Sequence, residues 1–128
     1  MATLAAGMED AARQIRALDG LFMRYANEKN ADGLMEFYAD DAQLLPPGAP
    51  LVRGGPAIRD FWKAFLAAGA SDAWIETGDI TTSGDHAFGV GKYSVTMEGA
   101  RQEGKYVVVY RRQAGTYKAV IDIFNANS

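Results

Sequence analysis

Apolar side chains recur at spacings of three and four from Met8 through Ala11, Ala12, Ile15, Leu18 and Phe22 to Tyr25, with Arg13, Arg16, Asp19 and Arg24 between them. Such a period lays one apolar stripe along a helix, so an amphipathic helix is predicted over roughly Met8 to Glu28. A short second helix follows over Ala31 to Tyr38, with Asn30 as its N-cap and Leu34, Phe37 and Tyr38 on its inner side. Asp40 and Asp41 end it, and Ala42 to Leu45 extends until Pro46, Pro47 and Pro50 stop the chain. Gly54-Gly55-Pro56 then starts a third helix, since proline fits a helix's first turn; its stripe is Ile58, Phe61, Trp62, Phe65 and Leu66, and Gly69 closes it.

From Ala73 onward the pattern changes. Trp74 to Thr77, Ile80 to Thr82, His86 to Met97, Lys105 to Arg112 and Thr116 to Ala126 are rich in Val, Ile, Thr and Tyr. They are separated by the glycine-containing turns Ser83-Gly84-Asp85, Glu98-Gly99-Ala100 and Gln113-Ala114-Gly115. This is an antiparallel meander, and helices followed by hairpins make an α+β fold with the helices on one side of the sheet. Tyr106-Val107-Val108-Val109-Tyr110 is apolar on both faces, where a strand with one wet face would alternate. Three helices cover only one face of a four- or five-stranded sheet, so the other face is expected to meet a second copy, giving a homodimer through the sheet.

Composition narrows the chemistry. A chain of 128 residues is one domain, here residues 1–128, and 48% hydrophobic with 23% charged residues is ordinary for a folded protein. A net charge of −3 argues against a nucleic-acid-binding surface. The absence of cysteine excludes thiolate nucleophiles and sulfur-ligated zinc, and one histidine, His86, supports neither a metal site nor a catalytic triad. No cofactor is implied. The opening residues lack a basic, then long apolar leader, and no apolar run reaches the roughly 20 residues of a membrane span, so a cytoplasmic protein without membrane contact is expected.

Several segments resemble one family. Asn30 to Ala42, closing in Tyr-Ala-Asp-Asp-Ala, is similar to its short helix and following segment, and Gly54 to Trp62 resembles its next helix start. Ser83 to Ala87, Gly104 to Lys118 and the closing Asp122-Ile123-Phe124-Asn125 resemble its later hairpins. The family is the α+β cone shared by nuclear transport factor 2, ketosteroid isomerase, scytalone dehydratase and the SnoaL-like polyketide cyclases, and the chain resembles its SnoaL-like branch. That resemblance implies a cystatin-like cone, three N-terminal helices packed on a curved antiparallel sheet, with an apolar cavity between them. It does not specify a reaction, because the same cone hosts isomerases, dehydratases, cyclases and non-catalytic proteins. Ketosteroid isomerases use a tyrosine and two aspartates, one of them held protonated. Aligned through the Ala-Asp-Asp-Ala segment, those positions fall on Phe22, Pro46 and the neighbourhood of Val107, all chemically silent.

Asp122 is the lone acid in an apolar strand, where desolvation would raise its pKa into the range of a general acid or base; an ion pair with Arg111, Arg112 or Lys118 is the structural alternative. Asn125 can donate and accept, and so could orient a ligand carbonyl or serve only as a strand-end amide. Strict alternation puts Ile121, Ile123 and Asn125 on one face and Asp122 and Phe124 on the other; the resemblance favours the odd set for the cavity unless a bulge switches parity. The cavity wall is expected from Phe22, Tyr25, Phe37, Trp62, Phe65, Val90, Ile121 and Ile123. Tyr25 and Tyr38 offer phenols on the helical roof, and Lys92 would matter if it pointed inward rather than out to water.

Two functions remain open. One is a cofactor-free acid–base enzyme of isomerase, cyclase or dehydratase type acting on a small hydrophobic carbonyl compound, with Asp122 and Asn125 as its catalytic pair. The other is a non-catalytic ligand-binding or dimerisation domain. Both take a small hydrophobic molecule as partner.

Overall fold

A computed structural model describes residues 2–128, with side chains from Gly7 onward. Met1, where the segment read for a leader begins, lies outside them. The chain forms α1 (Ala2–Asn27), α2 (Ala31–Leu34), β1 (Tyr38–Leu45), β2 (Val52–Arg53), α3 (Gly55–Ala67), β3 (Ala70–Ser83), β4 (His86–Met97), β5 (Ala100–Gln113) and β6 (Thr116–Ala126). This is the α+β arrangement expected, three helices against one curved sheet.

The helices follow their sequence signals with informative differences. α1 begins earlier than its stripe because the residues before Met8 are alanine-rich and favour helix without showing periodicity. α2 is a single turn: the Asn30 side chain accepts the N–H of Gly33 at 2.9 Å, and the chain leaves the helix at Met35. Tyr38 therefore opens β1 instead of lying on a helix, and Asp40 and Asp41 are exposed strand residues. At the start of α3, Gly54 adopts φ 85°, a backbone conformation that side chains with a Cβ rarely take, and Pro56 follows in the first turn.

The sheet has six strands in the order β2-β1-β6-β5-β4-β3. Expecting four or five missed β2, a two-residue strand too short to carry alternation, and the full length of β1. The contacts within β3–β6 are antiparallel hairpins as predicted, but β1 runs parallel to β6. Nothing local encodes that direction, since β1 and β6 lie far apart along the chain with five other elements between them. Ala70 to Ser83 is one strand where two short ones were read; the interruption at Gly78 is a bulge between Thr77 and Asp79. β5 likewise begins at Ala100, because Glu98 and Gly99, both at positive φ, suffice to close the β4–β5 hairpin.

Bulges in β3, β1 and β6 curl the sheet around α1 and α3. Its inner face carries Ala87 and Val95 from β4 and Tyr106, Val108 and Tyr110 from β5, packed against Ile15, Leu34, Ile58, Trp62 and Leu66 of the helices. Among the described residues no helix covers the outer face, where Val90, Val107, Ile121 and Ile123 are exposed.

Candidate functional site

Between the helical roof and the inner sheet lies an apolar cavity of about 80 Å³, several times the roughly 10–15 Å³ that a single water needs. α1 contributes Phe22, Ala26 and Asn27; α3 contributes Trp62, Phe65 and Leu66. The strands contribute Ile75, Tyr93, Val95, Tyr106, Val108, Asp122 and Phe124, and Phe37 closes one side. Trp62 meets Phe22 and Phe65 edge to face at 5.4 and 5.3 Å, while Phe124 stacks on Trp62 at 5.8 Å.

Glycines on the inner face make room for these rings. A Cβ on Gly91 would collide with the Tyr106 ring and lie 2.5 Å from the Glu76 carbonyl oxygen; one on Gly104 would collide with Tyr93. The tyrosines thus lie across neighbouring strands and line the cavity with their rings.

Asp122 is the acid in this wall, with 6% of its surface exposed. Its Oδ2 accepts the Tyr38 O–H at 2.6 Å, and Tyr38 Oη accepts the Trp62 Nε1–H at 3.0 Å. None of the cations named as partners reaches it. Arg111 makes a bidentate pair with Asp41 at 2.8 and 3.2 Å, Arg112 faces Asp85 at 3.5 Å, and Lys118 donates to the Glu36 carbonyl at 2.5 Å. Burial without a counter-charge pushes the Asp122 carboxyl up to about 6, against the opposing pull of the Tyr38 hydrogen bond. Burial, then the nearby carboxylate, raises the Tyr38 phenol well above its usual range.

A second buried acid, Asp19 of α1, is 5% exposed. Its Oδ2 accepts the Thr77 backbone N–H and its Oδ1 the Thr77 hydroxyl, both at 3.0 Å. With the Thr77 proton so engaged, the Tyr106 hydroxyl, 2.8 Å away, donates to Thr77 Oγ1. Desolvation raises the Asp19 carboxyl above its ordinary value in spite of these bonds. The residue had a legible signal: Ile15, Asp19, Phe22 and Ala26 share one helical face, so the acid interrupts the apolar stripe.

Of the residues expected at the site, Phe22, Phe37, Trp62, Phe65 and Asp122 line the cavity. Tyr38 lies behind the wall, its hydroxyl engaged by Asp122 and Trp62 and so closed to a ligand. Tyr25 packs over Gly33 with the Arg24 guanidinium 4.6 Å above its ring. Val90, Ile121, Ile123 and Asn125 lie on the outer side; Asn125 borders a separate hollow with Pro46, Pro47 and Leu51. Lys92 is exposed, its ammonium 6.0 Å from the Trp74 ring.

One bulge accounts for the reversal on the last strand. Ala119 pairs with Tyr110 but Ile121 pairs with Val109, leaving Val120 as an extra residue. Tyr117 and Ala119 face inward, and after Val120 the inward set becomes Asp122 and Phe124. Tyr93, Tyr106, Val108 and Phe124, not expected at the site, enter by the same parity, which alternation around Gly89, Gly91 and Gly104 would have revealed. Among the described residues no three of His, Asp and Glu come together as a metal-binding group, and no helix is long and apolar enough to cross a membrane.

The family model for the SnoaL-like domain matches residues 21–120, stopping short of Asp122. No curated protein matches the sequence. Solved structures do match in fold. An NTF2-like protein with a cystatin-like fold from Novosphingobium aromaticivorans is 20% identical with a TM-score of 0.83, covering 99% of this chain and 88% of its own. A ketosteroid isomerase-like protein from Erwinia carotovora atroseptica is 18% identical with a TM-score of 0.78, covering 91% and 95%. A protein of unknown function from Mycobacterium tuberculosis is 20% identical with a TM-score of 0.77, covering 91% and 72%. At such identities the likeness extends to fold alone.

Proposed function

The chain belongs to the SnoaL-like domain family, and we propose that it binds a small hydrophobic carbonyl compound in the aromatic cavity and moves a proton on it, with Asp122 as the acid–base group. The supporting observation is the Asp122 carboxyl itself: buried in the wall of an apolar cavity, without a cation, and held near 6. A carboxyl there is largely ionised at neutral pH yet basic enough to take a proton, the balance that general acid–base catalysis favours. The aromatic walls would hold the ligand and exclude water, so that the carboxylate meets an acidic C–H next to the carbonyl. Returning that proton at another carbon gives isomerisation, and losing a leaving group after its removal gives elimination. Asn125 has no part in this reading, because it lies outside the cavity.

The test is exchange of α-hydrogens for deuterium on a panel of small cyclic ketones, followed by NMR. Exchange is expected to rise with pH through about 6 as Asp122 ionises, and to fall by roughly 100-fold or more in Asp122→Asn. Ketones that bind the cavity but exchange equally fast in both proteins would instead support the binding-domain reading.

We also propose that the protein is a homodimer joined through the outer face of its sheet. Val90, Val107 and Ile123 form one cross-strand row there, and Phe88, Val109 and Ile121 the next. Phe88, Val90, Val107, Ile121 and Ile123 are each 38–49% exposed, an apolar patch that a second copy would cover.

A further inference from the structure

We propose that Trp62 and Tyr38 form a one-way hydrogen-bond relay that places the exchangeable proton of Asp122 on Oδ1, so that the cavity meets its ligand through a single oxygen that accepts when ionised and donates when protonated. The inference deepens the reading above and rests on Asp122 being the group that faces the ligand.

The direction follows from donor chemistry. An indole nitrogen only donates, so the Trp62 Nε1–H must point at Tyr38 Oη, 3.0 Å away. The Tyr38 proton then cannot point back at Trp62. Asp122 Oδ2, at 2.6 Å, receives it. Phe37 packs edge-on against the Tyr38 ring, the centroids 5.0 Å apart, and the hydroxyl's hydrogen-bond partners among the described residues are Trp62 and Asp122. Turning the phenol proton elsewhere would give up its 2.6 Å bond to a carboxylate oxygen, an expensive loss in a buried site.

The same constraint governs the protonated carboxyl. A proton on Oδ2 would confront the Tyr38 proton across 2.6 Å, forcing one of them out of its bond. No donor among the described residues engages Oδ1, so a proton there leaves the relay intact and is free for the cavity that Asp122 lines. One oxygen thus serves the fold and the other the ligand. Tyr38 and Trp62 are positioning residues, and the ligand class they select has one oxygen or weakly acidic hydrogen at the cavity floor and an apolar remainder. The other titratable groups near Asp122 are the Tyr106 and Tyr110 phenols of β5, with Asp19 of α1 beyond them. Burial holds both phenols neutral through the range in which Asp122 titrates.

The experiment is a carboxyl ¹³C NMR titration of the ligand-free protein labelled at aspartate, in the wild type, Tyr38→Phe and Trp62→Phe, together with the indole N–H resonances. Losing the Tyr38 donor should raise the Asp122 midpoint by about one pH unit. Trp62→Phe frees the phenol to turn, which should raise the midpoint in the same direction by less. In the wild type, the Trp62 indole N–H should shift with the Asp122 midpoint, a readout independent of how the variants fold. An unmoved midpoint in folded Tyr38→Phe, or an indole N–H blind to the titration, would overturn the relay. Both readouts need no substrate, so they stand or fall apart from the deuterium-exchange test of the proposed activity.

Discussion

Burying the Asp122 carboxyl without a cation ties chain stability to pH in an uncommon direction. Most paired acids lose stability as pH falls. Here the folded state holds its proton up to about 6, while the unfolded chain releases it near 3.8, so the folded state binds more protons between those values. Stability therefore declines as pH rises through that window, by on the order of 3 kcal/mol when fully ionised. Asp122→Asn removes the charge while its amide oxygen can still accept from Tyr38. It should raise the free energy of unfolding at pH 8 by about 1–3 kcal/mol and give no gain at pH 4. Urea melts of both proteins at the two pH values check this; Asp19, raised in the same direction, is common to both and cancels in the difference. Thr77→Val tests the other buried acid. It withdraws one bond from Asp19 and the acceptor for Tyr106, and should cost about 1–3 kcal/mol at neutral pH in the same melts.

At the scale of elements, what could be read in the sequence depended on whether its signal was local. The stripes of the first and third helices, the glycine turns and the strands His86–Met97 and Thr116–Ala126 are encoded by nearest neighbours, and the structure places them as expected, whereas the second helix stops at Leu34, short of Tyr38. The parallel pairing of β1 with β6 and the bulge at Val120 are settled between strands, and a single strand's pattern does not record them. That bulge moved Ile121, Ile123 and Asn125 to the outer side and brought Asp122 into the wall. The acid itself was legible as a lone charge in an apolar strand, but its partner Tyr38 was not, because Tyr38 lies in a parallel neighbour far away in sequence. Inner-face glycines give this scale its prediction. In Gly91→Ala the new methyl meets the Tyr106 ring and the backbone oxygen of Glu76, which cannot step aside, and should cost about 1–3 kcal/mol. Gly20→Ala, inside α1 with nothing within 4 Å of its Cβ, should instead stabilise by about 0.5–1 kcal/mol. Thermal melts of the two variants should therefore move in opposite directions.

For the whole molecule the two faces of one sheet divide the work. Alternation sends Tyr106, Val108 and Tyr110 into the core and Val107 and Val109 to the other side, so the doubly apolar strand is two half-patterns rather than one buried ribbon. The inner half builds the cavity; the outer half joins Val90, Ile121 and Ile123 into the surface proposed for dimerisation. Because these side chains point away from Asp122, assembly and site chemistry should be separable. Val107→Glu places a charge at the centre of the row Val90–Val107–Ile123, where a partner copy would have to bury it. Light scattering at micromolar concentration should report twice the chain mass for the wild type and a single chain mass for the variant, with the Asp122 carboxyl titration unchanged between them. A wild type that stays monomeric under those conditions would leave the outer face without the role proposed for it. A variant that dissociates and also moves the Asp122 midpoint would show that the faces are coupled, with the dimer helping to shape the cavity.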